Sequence, residues 1–260
     1  MVSKFLSVLS LGALALTSAQ AAFIYGISTG SSSGIFKIDT ATGASTKLYS
    51  VANIGALNNN VTNSLAYDAA TGDFYFNGAD KKLYKRNASG EFLVGTLSKS
   101  AASGTFYNGS FYYVENSTKN IHKVDVNTFS DSVFSSPSAL TGASYGDVAS
   151  DDAGNIYGAA SNGVWKSSLT APSQASFLTT SATSLQLGFY GSSLFGINAS
   201  NDRIYSVNLT NGAITNTATL VDAAGLFITD AASAQAVPEP ASMIALGLGA
   251  AAMIRRRRKA

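Results

Sequence analysis

The chain has 260 residues, 46% hydrophobic and 12% charged, a balance that excludes a disordered polymer and allows one large domain or two small ones. It has no Cys and one His, His122, which excludes a disulfide framework, thiolate metal centres and multi-histidine sites. Six basic residues, Lys4, Arg255, Arg256, Arg257, Arg258 and Lys259, lie in the terminal segments; without them eleven basic residues face fifteen acidic ones, about −4, which argues against a nucleic-acid partner.

At the N-terminus, Lys4 precedes an apolar run from Phe5 to Leu16 and a small-residue stretch ending Ala19-Gln20-Ala21. The run is shorter than the ~20 apolar residues of a spanning helix. A basic start, a short apolar core and an A-x-A site form a secretory signal peptide over residues 1–21. Signal peptidase would cut after Ala21, so that the mature chain starts at Ala22.

Residues 22–236 repeat. The clearest unit is an apolar residue, an aromatic residue or His, then usually Lys: Ile35-Phe36-Lys37, Leu83-Tyr84-Lys85, Ile121-His122-Lys123, Val164-Trp165-Lys166 and Ile204-Tyr205-Ser206. A second apolar strand stands about ten residues before each copy, beginning near Phe23, Phe74, Phe111, Asn155 and Ser193. Turn formers such as Ser31-Ser32-Ser33-Gly34 separate the two, and another turn with a further strand follows several copies, as in Ser45 to Tyr49. Four copies also have an opening strand, near Leu65, Thr105, Asp147 and Leu187.

Four antiparallel strands per unit of about 44 residues is the blade pattern of a β-propeller, here all-β and five-bladed, with six blades as the alternative if residues 51–63 hide strands. The first copy lacks an opening strand. Leu226-Phe227-Ile228-Thr229-Asp230-Ala231-Ala232 resembles Leu65-Ala66-Tyr67-Asp68-Ala69-Ala70. Residues of about 225–230 are therefore expected to complete the N-terminal blade, with Phe227 beside Tyr25, and to leave no free edge between the ends.

Residues 237–260 form a second addressing segment: Val237-Pro238-Glu239-Pro240, an apolar run from Ala241 to Ile254, and the basic cluster Arg255 to Lys259. The prolines keep the chain extended, as a protease cleft requires. As a helix the run would span about 21 Å, a marginal membrane anchor, and the basic cluster would stay cytoplasmic and stop transfer. A plain C-terminal anchor is the simpler alternative.

This arrangement resembles the PEP-CTERM sorting signal. The resemblance covers only the last 24 or so residues. It implies recognition of Pro238, Glu239 and Pro240 by exosortase, a membrane cysteine protease of exopolysaccharide-producing Gram-negative bacteria. It further implies transient inner-membrane anchoring, removal of the tail, and delivery to the cell surface or extracellular matrix. It implies no activity, because proteins sharing this tail have unrelated bodies.

The body offers little catalytic chemistry. His122 takes the place of Phe36, Tyr84, Trp165 and Tyr205, which marks a packed strand residue rather than a base, and no G-x-S-x-G elbow accompanies it. The acidic stretches at Asp151-Asp152 and Asp68 stand where hairpin turns are expected and lack the alternation of a calcium loop. Lys37, Lys85, Lys123 and Lys166 alternate with apolar residues and are expected to face solvent. Asn63, Asp147 and Gln186, with Asp222 as a further candidate, are the channel-facing ligand-binding positions. No cofactor or metal is expected.

The sequence thus reads as a non-enzymatic exported propeller that binds or displays, associated with exopolysaccharide. One alternative is a propeller hydrolase or lyase acting on matrix sugars or lactones, which requires a second acid near Asp147. Another is a self-associating structural matrix component.

Overall fold

In the computed structural model, the described residues are 21–29, 31–54, 63–78, 81–181, 184–221 and 226–234. Residues 1–20 of the signal peptide, the sorting motif with its apolar run and basic cluster, and Asp222 lie outside them. One compact unit spans Ala21–Ala236.

Twenty strands build the described residues into five four-stranded antiparallel sheets. Blade I contains β1 (Phe23–Ser28), β2 (Gly34–Asp39) and β3 (Ser45–Tyr49). Blade II is β4 (Leu65–Asp68), β5 (Asp73–Asn77), β6 (Lys82–Asn87) and β7 (Gly90–Thr96). Blade III is β8 (Ala101–Tyr107), β9 (Ser110–Glu115), β10 (Ile121–Asp125) and β11 (Ser130–Ser135). Blade IV is β12 (Tyr145–Ser150), β13 (Asn155–Ala160), β14 (Gly163–Ser168) and β15 (Ser176–Thr179). Blade V is β16 (Gln186–Tyr190), β17 (Ser193–Asn198), β18 (Arg203–Val207) and β19 (Ile214–Thr219). The last strand, β20 (Ile228–Ala232), pairs with β1 and completes blade I from the opposite end of the chain.

The innermost strands β4, β8, β12, β16 and β20 each touch the next around the axis, and β20 meets β4. Five inner strands therefore close the ring, which corrects the six-bladed alternative. The closing segment has a different register from the expected one. Tyr25 pairs with Ala232, whereas the Phe227 carbonyl accepts the Thr29 N–H at 3.1 Å, at the other end of β1. Pairing places Asp230 opposite Ile27.

Burial explains why the strands carry the pattern they do. Each blade packs both faces against its neighbours, so second strands such as β9, buried throughout, are apolar without alternation. Five apolar clusters fill the five gaps between blades; one joins Val114 and Ile121 of blade III to Val148 and Trp165 of blade IV. Fourth strands form the outer rim, and β7 exposes Phe92 and Leu93.

The repeated aromatic has a physical partner. Phe36, Trp165 and Tyr205 pair with Gly26, Gly158 and Gly196; at Gly158 the missing side chain makes room for the ring itself, whereas a side chain at Gly26 would meet Ile38 and Ile228 and one at Gly196 would meet Leu185. A Cβ on Gly158 would lie 2.2 Å from the Trp165 ring. Gly158→Ala is therefore expected to cost about 1–3 kcal/mol through forced displacement of Trp165; an unchanged urea midpoint would contradict this packing. Where the glycine is replaced, rings stack instead: Phe76 on Tyr84 at 5.7 Å and Tyr113 on His122 at 4.6 Å.

The repeated lysines differ from expectation. Lys37 is exposed, but Lys85, Lys123 and Lys166 are half-buried. Lys37 lies 3.9 Å from the Phe23 ring centroid, Lys166 5.2 Å from that of Tyr157, and Lys85 pairs with Asp73 at 3.3 Å. Their stems cover cross-strand aromatics while their charges reach the surface.

Candidate functional site

An inner strand bonds its blade on one side and turns an unpaired row of N–H and C=O groups toward the axis. The sequence meets this requirement with a polar layer. Ser64, Ser103, Asp147, Gln186 and Asp230 lie at equivalent heights on the five inner strands, each opposite the second-strand residue that precedes the repeated motif in pairing.

Two members of the layer are carboxyl groups, and both are buried. Asp147 accepts the N–H of Val148 at 2.5 Å through one oxygen, and those of Leu187 at 2.8 Å and Ala231 at 3.2 Å through the other. Asp230 accepts the N–H of Leu65 at 2.7 Å and of Ala231 at 2.9 Å. The two carboxyls also hydrogen-bond to each other. One pair thus ties together blades I, II, IV and V at the axis.

Such a bond between two acids requires a proton. Burial pushes the Asp147 carboxyl up to about 7 despite its amide donors. Burial, with the adjacent Asp147 charge, holds Asp230 well above the usual carboxylate range. The pair therefore keeps a shared proton near neutral pH.

Asp147, named from the sequence, is at the axis, but as a buried staple. Its partner Asp230 was not among the sequence candidates. Gln186 belongs to the same layer, and its Oε1 is buried without a partner among the described residues, as is Ser103 Oγ. Asn63 lies just outside the layer and donates through its side chain to the Ala102 carbonyl at 2.7 Å.

The layer separates two cavities. At the strand starts, a cavity of about 590 Å³ is lined by Asn63, Asn116, Ser184, Gln186, Thr229 and the exposed Lys81, among others. At the strand ends, one of about 670 Å³ is lined by Tyr67, Phe106 and Tyr107 with Asp68, Asp151 and Asp152. Beneath this second mouth another polar layer caps strand edges: Thr105 and Ser150 hydroxyls bond at 2.9 Å, and Ser233 Oγ accepts the Phe189 N–H at 3.1 Å.

The acidic turns serve the backbone. Asp151 accepts the N–H groups of Ala153 at 3.0 Å and Asn155 at 2.8 Å, and Asp68 accepts that of Ala70 at 3.0 Å. Among the described residues, no group of three or more His, Asp or Glu side chains is placed to hold a metal ion.

His122 is packed against Tyr113, but it also stands between two acids from neighbouring strands. Its Nδ1 is 3.0 Å from Asp131 and its Nε2 3.4 Å from Glu115. Burial pushes Glu115 up, yet hydrogen bonds from Ser117, Thr118 and His122, with Lys99 nearby, outweigh it and bring the carboxyl down to about 2. This group stabilises the fold above its unfolded value of 4.5, and the contribution is lost as pH falls toward 2. His122→Phe, the residue type at the matching position of blade I, is expected to raise the Glu115 pKa and cost about 1–3 kcal/mol. Carboxyl NMR titration would show the shift; an unmoved Glu115 resonance would contradict the assignment.

Residues 236–259 match the PEP-CTERM protein-sorting motif. No curated protein matches the chain. Among solved structures, a chain from a nidogen/laminin complex is similar, with 10% identity and a TM-score of 0.57 over 82% of this chain and 98% of that one. A structural-genomics protein of unknown function from Bacteroides thetaiotaomicron is similar at 13% identity and a TM-score of 0.53, over 77% of this chain and 59% of that one. At these identities the likeness concerns fold alone. The chain is a five-bladed β-propeller with a PEP-CTERM motif at its C-terminus, an exported protein sorted by exosortase.

Proposed function

We propose that this protein is a non-enzymatic binding or display module of the cell surface or extracellular matrix, associated with exopolysaccharide. The observation that carries the reading is the state of the Asp147–Asp230 pair. A hydrolase or lyase needs acids that reach substrate, and glycosidase carboxyls typically stand about 5–10 Å apart around the scissile bond. Here the two acids touch each other, are buried, and accept strand-edge amides through every oxygen. What remains accessible is a rigid ring with two polar mouths, which suits recognition.

The test is co-sedimentation of the purified full chain, kept in mild detergent, with exopolysaccharide from the source bacterium, using an unrelated acidic propeller as control. Saturable retention above the control is expected. Retention no greater than the control would contradict the reading.

A further inference from the structure

The two mouths differ in charge, and the difference selects a ligand. At the strand-start mouth, the described lining carries amides, hydroxyls and one cation, Lys81, with no carboxylate. A shallow groove continues outward from it, sharing Lys81, Ser100 and Asn116 and adding Lys99. Glu115 also borders that groove, but its oxygens are engaged by Ser117, Thr118, His122 and, at 3.8 Å, Lys99 itself. The opposite mouth carries Asp68, Asp151 and Asp152 and no cation among the described residues.

We infer that the strand-start mouth is the saccharide site and that its ligand is an acidic, hydroxyl-rich oligosaccharide bearing uronate groups, an inference that rests on the exopolysaccharide reading above. Three features converge on this class. A buried polar atom without a partner calls for one, and Gln186 Oε1 at this mouth is such an acceptor, suited to a sugar hydroxyl. Asn63, Asn116, Ser184 and Thr229 supply further neutral donors and acceptors around it. Lys81 stands exposed at the rim, where a uronate carboxylate gains a charge-assisted bond, while Phe227, 46% exposed, presents an apolar surface to the ring face of a sugar. The Asp147–Asp230 layer closes the floor, so the ligand enters the mouth without threading the axis. The acidic mouth would repel the same ligand.

The experiment is isothermal titration of the full chain in mild detergent with an oligogalacturonate and with a neutral malto-oligosaccharide of equal length. It is repeated for Lys81→Ala, Gln186→Ala and Asp152→Ala, with circular dichroism confirming each fold. The oligogalacturonate should bind about fivefold or more tightly than the neutral oligomer, with the gap closing at high salt. Lys81→Ala should remove most of that preference, Gln186→Ala should weaken oligogalacturonate binding about fivefold or more, and Asp152→Ala should change neither. Unchanged binding in both Lys81→Ala and Gln186→Ala, or loss in Asp152→Ala, overturns the site. Equal affinity for both oligomers, or no binding of either by a chain that still co-sediments with exopolysaccharide, overturns the ligand class and leaves the broader reading standing. A chain that binds neither oligomer nor exopolysaccharide overturns both.

Discussion

Asp230→Ala is expected to destabilise the propeller by about 2–4 kcal/mol at pH 5, more than a typical surface change. The variant leaves the buried Leu65 N–H without its acceptor, deprives Asp147 of its shared proton, and opens a void where blades I and II meet at the axis. Asp147→Ala should cost a similar amount, because Leu187 and Ala231 lose the same acceptor. The double variant should cost clearly less than the sum, since either single change already breaks the pair. Urea denaturation of the four proteins measures this. Additive costs, or single costs within about 0.5 kcal/mol of zero, would show that the pair does not hold the ring.

The second large effect is a stability maximum on the acidic side of neutrality. A carboxyl whose folded pKa is raised binds its proton more tightly in the folded chain. Its contribution is therefore fully present below the unfolded value of 3.8 and is lost as pH rises through the raised folded values, about 7 for Asp147 and likewise well above 3.8 for Asp230. Glu115 acts in the opposite sense, with its contribution lost as pH falls from 4.5 toward about 2. Together they place maximum stability near pH 4, with about 1.4 kcal/mol lost per unit on the alkaline limb for each proton of difference. Asp230→Asn preserves a donor to Asp147 and an acceptor for Leu65, removes one acid, and should flatten the alkaline limb while sparing the acid one. A profile rising from pH 5 to pH 8 would contradict the assignment.

Much of the ring is legible in the chain because its repeating parts obey local rules. The Ile35-Phe36-Lys37 type of strand recurs since each blade must fill both interfaces with the same shapes, and Asp39, Asp68 and Asp151 mark turns because their side chains accept nearby amides. Closure was legible as well, but its register was not. By composition Asp230 matches the turn residue Asp68; by pairing it occupies the place of Ser64, because Ala232 rather than Phe227 meets Tyr25. That offset hid the second axial acid. Asp147 and Gln186 could be placed at the axis from their strand, whereas Ser64 and Ser103 look like ordinary turn-rich composition. Nothing local announces Glu115 and Asp131 around His122, since they arrive from the strands on either side. Likewise the charge difference between the mouths depends on which ends of separate strands share a face, which only the closed ring reveals.

Two buried acids share a proton and tie the inner strands. Infrared spectroscopy of the carboxyl groups at neutral pH tests this most directly, comparing the natural chain with Asp230→Asn. A protonated carboxyl band in the natural chain that loses intensity in the variant is the predicted result. Fully ionised carboxylates in both would contradict the account.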